Sequence, residues 1–158
     1  MTIDLFNKLT GRETLHPLIS IIDLSNANLN RDIRMTCDFY GLLYYVTLDG
    51  NQYSGKDKLG ELVEIPSLEH RSTNGYTGII FHPDLLYETS LEGRIDSYPT
   101  RCRCRGPLSE HEQQVISDSL QKIRAELHHA IDRHSASIIA SHIELLLNYC
   151  VRFCNQAN

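Results

Sequence analysis

From Leu108 to Asn158 the chain contains neither glycine nor proline, although the residues before that point hold nine glycines and five prolines. Both residue types punctuate turns and interrupt helices, so their abrupt disappearance permits long helices only in the last third. The boundary therefore divides one domain, residues 1–158, into a β-rich part over 15–105 and a helical part over 109–155. Seven of the eight tyrosines also fall in the first part, which agrees with strands there. A length of 158 residues suits one domain rather than two.

Within the β part, Pro17–Leu24 reads as a strand. Tyr40–Leu48 reads as another, ending in Asp49-Gly50, a hairpin signal. Glu61–Ile65 stops at Pro66, and Gly75–Phe81 runs into the turn His82-Pro83-Asp84. Short strands at close spacing predict a sandwich or barrel. In Tyr40–Leu48 the even positions Leu42, Tyr44, Val46 and Leu48 form the more apolar face, expected to point into a barrel. Arg101–Arg105 alternates strictly; if it is a strand, three arginines point one way and Cys102 and Cys104 the other. That pattern suits either a solvated face or an anion contact.

The helical part opens with Ser109-x-x-Glu112, a capping box. Ile116, Leu120, Ile123, Leu127 and Ala130 or Ile131 then make one apolar stripe, predicting a helix to about residue 132. Arg133-His-Ser-Ala is a break with Ser135 as a cap, and a second helix runs to about Phe153. It carries two stripes. Ile139, Ile143, Leu146, Cys150 and Phe153 form the first; Ile138, His142, Leu145 and Tyr149 form the second. A helix apolar on two sides must be covered on two sides, which predicts a homodimer through this helix. The first stripe, with its a/d-like spacing, is the expected dimer seam.

Charge and cysteine usage narrow the function classes. The net charge is −5, and both parts are acidic, so the chain by itself is not expected to bind DNA. No apolar run approaches the length of a membrane span, and the N-terminus, with Asp4 and no apolar stretch, does not read as a signal peptide. Five cysteines, an odd number, read as thiols in a reducing cytoplasm.

The chemistry-bearing residues do not assemble into an enzyme motif. A cupin-type metal site needs two histidines one residue apart on a strand, yet the β part offers only His16, His70 and His82. His128 and His129 point about 100° apart on a helix and make poor joint ligands. Cys150 and Cys154 share a helix face but are two ligands short of structural zinc. No metal and no cofactor is therefore expected. No G-x-S-x-G elbow or recognisable catalytic cysteine is present, so the chain is not expected to be an enzyme. Leu59-Gly60-Glu61-Leu62 with Arg71-Ser72 is similar to the phosphate cassette of cyclic-nucleotide-binding domains. The intervening acids and Pro66, where that family has a short helix, count against it.

A broader resemblance covers residues 17–155. Phe81-His-Pro-Asp-Leu-Leu followed by Thr89-Ser-Leu resembles a stretch of AraC-type transcription regulators. Lys122–Ser135 and Ile143–Phe153 look like the helix pair that closes their regulatory domain, and Gly60-x-Leu-x-x-x-Pro66 fits its strand and pocket-edge proline. The resemblance implies an α+β fold, a cupin-like antiparallel β-barrel followed by an αα-hairpin. It implies a small-molecule effector bound without metal, a dimer through the helices, and DNA contact only through a C-terminal helix-turn-helix domain outside this chain. It puts the pocket face at Tyr76, Gly78 and Ile80, so the expected ligand-binding residues are Tyr44, Val46, Tyr76 and Ile80. Between Tyr98 and Ser109 the sequence departs from the family's longer, aromatic-rich stretch. The alternative is a stand-alone cupin-like binding protein or enzyme.

Overall fold

The computed structural model describes residues 1–23, 33–46, 52–57, 62–65, 76–98, 102–104 and 109–156. Leu24, Leu48, Asp49-Gly50, Glu61, Pro66, Arg71, Arg101 and Arg105 lie outside the described residues, as do the side chains of Tyr44, Val46, Tyr76 and Cys154. The class is α+β. Seven strands are described: β1 (Ile19–Asp23), β2 (Ile33–Thr36), β3 (Tyr40–Val46), β4 (Gln52–Asp57), β5 (Leu62–Ile65), β6 (Tyr76–Phe81) and β7 (Cys102–Cys104). Strands β1-β6-β3-β4-β7 form one antiparallel sheet, and β2-β5 form a separate antiparallel ribbon. Among the described residues the larger sheet is open, with β1 and β7 at its edges, rather than the closed barrel expected from the resemblance.

A helix the strand pattern did not announce precedes the sheet. α1 (Ile3–Leu9) is capped by Thr2, whose side chain accepts the Leu5 N–H, and carries an Asp4–Lys8 ion pair at 2.8 Å. Gly11, at φ +74°, takes the left-handed backbone conformation just after its end. Two turns of helix are marginal alone. Burial of Ile3 and Phe6 holds this one, at roughly 1.5–3 kcal/mol for each side chain. The Phe6 ring meets Phe39 edge-on, with centroids 5.9 Å apart. Buried Asn7 accepts the Ser20 hydroxyl at 2.8 Å, seating α1 on one face of the sheet. Arg12 then reaches along the outer edge of β1 and donates to the carbonyls of Ile21 at 3.0 Å and Asp23 at 2.8 Å. A charged side chain on these edge acceptors obstructs pairing with a further strand.

The opposite face carries the helices α2 (Glu110–Leu127) and α3 (Ser135–Gln156). Ile19, Ile21, Tyr40, Leu42, Ile79 and Phe81 from the sheet join Ile116, Ile123 and Leu127 of α2 and the buried stripe of α3 in one core. The capping box forms as the sequence predicts. Ser109 Oγ accepts the Glu112 N–H at 3.1 Å, and Glu112 Oε1 accepts the Ser109 N–H at 3.0 Å. The helix ends at Leu127, short of residue 132. The next residues form the turn that leads into α3, where Asp132 Oδ1 accepts the His134 N–H at 2.8 Å and Ser135 Oγ accepts the Asp132 N–H at 2.9 Å. Ile131 consequently leaves the predicted stripe and stands 60% exposed.

Candidate functional site

Residues opposite one another in an antiparallel ladder share a face of the sheet, and neighbours along a strand alternate. In the β3–β6 ladder Tyr44 pairs with Thr77, Tyr45 with Tyr76, and Gly41 with Ile80. Tyr44 and Tyr76 therefore occupy opposite faces. Tyr44 and Val46 fall on the face shared by Leu42, Thr77 and Ile79, which is the helix face. Thr77 itself lines a surface cavity of about 530 Å³ with Glu110, Gln113 and Ile116 of α2. Tyr76 and the buried Ile80 fall on the other face, with Ile22, Gly78 and Ser20. The expected set of Tyr44, Val46, Tyr76 and Ile80 is thus divided between two faces. The residue of β3 that joins Tyr76 is Tyr45.

That second face can be read rung by rung. One rung runs Ser20, Ile80, Gly41, Asp57; the next runs Ile22, Gly78, Leu43, Gly55. The last runs Tyr76, Tyr45, Tyr53, Arg103. Three tyrosines and an arginine therefore occupy consecutive strands at one level. Gly78 has φ +150°, a conformation closed to residues with a Cβ, so glycine is required at the centre of the face. The register that sets Tyr45 opposite Tyr76 is not legible in the sequence. Both parities of residues 40–46 contain apolar residues, and only the pairing partner distinguishes them.

The residues expected at a dimer seam lie inside the chain instead. Ile139, Ile143, Leu146, Cys150 and Phe153 are all buried within the chain's own core, so they cannot be the surface presented to a second copy. The reason is that the sheet and α2 use this stripe. A second flank of α3 is engaged by the segment 87–98. Ser90 Oγ donates to Glu144 Oε2 at 2.8 Å, Arg94 pairs with Glu144 at 3.2 Å, and the Tyr98 hydroxyl donates to Asn148 at 3.1 Å. The second apolar stripe is the one left at the surface. Ile138 is 39% and Leu145 45% exposed, with His142 and Tyr149 half-buried. The Tyr149 ring stacks on Phe153 at 5.9 Å, and the Arg152 guanidinium lies 5.7 Å from its centroid.

Other polar groups are engaged in holding the fold. His16 is buried, and its Nδ1 accepts the Leu18 N–H at 3.1 Å; loss of solvation pushes its pKa down. Burial, with the hydroxyl's bond to Asp96, pushes the Tyr40 pKa up. His82 caps the short 3₁₀ turn Pro83–Leu86 by accepting the Asp84 N–H. A groove of about 250 Å³ lies between Arg12, Leu15, β1 and the end of α2 at Arg124 and His128. Among the described residues no group of three or more His, Cys, Asp or Glu side chains could hold a metal ion, and no helix is long and apolar enough to cross a membrane. Comparison with protein-family profiles, curated proteins and solved structures gave no match to this chain.

Proposed function

We propose that this chain is the effector-sensing and dimerisation domain of an AraC-type transcription regulator, acting in the cytoplasm. The observation that carries the reading is the order and packing of its parts. An antiparallel sheet is followed by two helices that cover one face, and the last helix keeps Ile138 and Leu145 of its second apolar stripe exposed, with His142 and Tyr149 half-buried beside them. In this reading the sheet and the β2–β5 ribbon close as a cupin-like barrel around the Tyr76 face. The exposed stripe of α3 meets its copy in a symmetric dimer. A small effector favouring one arrangement of barrel, α1 and helices over another shifts the population of dimer geometries, and so the placement of two attached DNA-binding domains.

The experiment is a fusion of the whole chain to a DNA-binding domain that represses a reporter only as a dimer. The fusion should repress, and Leu145→Glu should relieve repression at unchanged protein level. A fusion that accumulates without repressing overturns the reading.

A further inference from the structure

We propose that the groove between the loop after α1, the strand β1 and the C-terminal end of α2 binds a small organic monoanion, a carboxylate on a short apolar body. The inference does not rest on the regulator reading. Two stretches far apart in sequence build the groove. The loop after α1 brings Arg12, Glu13 and Leu15, and the end of α2 brings Arg124, Leu127 and the C-cap His128. Arg124 and His128 are four residues apart, so they lie on one face of the helix.

Charge selects the sign of the ligand. Arg12 donates to the carbonyls of Ile21 at 3.0 Å and Asp23 at 2.8 Å. These neutral acceptors hold the guanidinium in place without cancelling its charge. Two arginines in the groove stand against one carboxylate, Glu13, so the fixed charges there are positive by one in a chain whose net charge is −5. One negative charge on the ligand balances that excess, and a guanidinium fork matches the two oxygens of a carboxylate. Carbonyls at a helix end oppose an anion. Here those of Arg124, Ala125 and Glu126 already accept the His128 and His129 N–H groups.

The apolar lining selects the rest of the ligand. Ile19, Ile21 and Leu127 are buried members of the core that also line the groove, and Leu15 beside them is 39% exposed. An inorganic anion leaves that wall in water, whereas a hydrocarbon body covers it. The groove holds about 250 Å³, and at roughly 30 Å³ for each water-sized group it admits about eight non-hydrogen atoms. Hexanoate has that size. A ligand held here ties the chain's N-terminal segment to its helical hairpin.

The test is an amide NMR titration of the isotope-labelled full chain with hexanoate, butyrate, hexylammonium and inorganic phosphate. Hexanoate should saturate one site with a Kd on the order of 1 mM, as suits so small a ligand. The shifted amides should cluster in Arg12–Leu15, Ile19–Ile21 and Arg124–His128. Butyrate, shorter by two methylenes, should bind roughly four- to fifteenfold more weakly. Hexylammonium and phosphate should each be weaker by roughly tenfold or more. Arg124→Gln, an exposed change between good helix formers, should weaken hexanoate by roughly fivefold or more. Lys122→Gln removes the same charge from the same helix outside the groove and should leave the affinity unchanged. Absence of saturable shifts at about 20 mM hexanoate, shifts confined to other residues, or equal affinity in a folded Arg124→Gln chain overturns the site. An equal loss in Lys122→Gln reduces the effect to net charge and overturns it as well. Equal binding of hexylammonium overturns the anion, and equal binding of phosphate overturns the apolar body.

Discussion

Adjacent leucines on α3 should give opposite phenotypes. Leu146 is 2% exposed and belongs to the core shared by sheet and helices, whereas Leu145 is 45% exposed on the uncovered stripe. Leu146→Ala removes buried methyl groups and leaves a cavity, which costs about 2–5 kcal/mol. For a domain of this size each kcal/mol lowers Tm by roughly 2–4 °C, so a mid-range loss is a fall of about 7–14 °C. Such a loss is a large part of the roughly 5–15 kcal/mol that holds a typical domain. Leu145→Glu instead places a charge where water already reaches, and should change the stability of the folded monomer by no more than about 0.5 kcal/mol. Within a dimer the same charge would be buried unpaired, costing several kcal/mol of association. Thermal unfolding by circular dichroism and sedimentation velocity at micromolar concentration separate the two effects. Leu145→Glu should sediment as a folded monomer, the unaltered chain as a dimer, and Leu146→Ala as a less stable protein. An unaltered chain that sediments as a monomer refutes the dimer. A Leu146→Ala chain as stable as the parent refutes the core assignment.

Three further outcomes follow from the same structure. The buried His16 has a folded pKa below its ordinary value of 6.5, so its neutral form suits the native state; its contribution is present above the unfolded pKa and is lost as pH falls through the folded one. Urea unfolding should therefore show declining stability from pH 7 towards more acid conditions, with a shallower decline in His16→Gln; identical slopes would remove His16 as the cause. Arg12→Ala loses two charged hydrogen bonds to the edge of β1 and should cost about 2 kcal/mol in urea unfolding while increasing light scattering on warming; an unchanged midpoint would show the clamp to be idle. With a net charge of −5, the chain should show no salt-sensitive binding to a random DNA duplex at physiological ionic strength, and a salt-dependent shift in a mobility assay would contradict the charge argument.

Local chemistry sufficed for some elements. The capping box at Ser109 and Glu112 is a contact between residues three apart, and the stretch after it has no glycine or proline to interrupt a helix, so α2 begins where the sequence says. Strands β1, β3, β5 and β6 fall inside their expected stretches for the same reason, since glycine, proline and aspartate mark their ends. α1 had its signals too, in Thr2, Asp4, Lys8 and Gly11, but two turns of helix persist only because Phe39 and Ser20 are there to receive Phe6 and Asn7. Tertiary structure decided the rest. Tyr44 and Tyr45 are each compatible with an inward face, and a one-residue difference in pairing exchanges all the side chains of a strand between faces; the partner opposite Tyr76 had to be seen. Likewise both stripes of α3 are apolar enough to be buried. Hydrophobic burial is non-directional, so periodicity reports that two faces need cover without saying which one the chain itself provides.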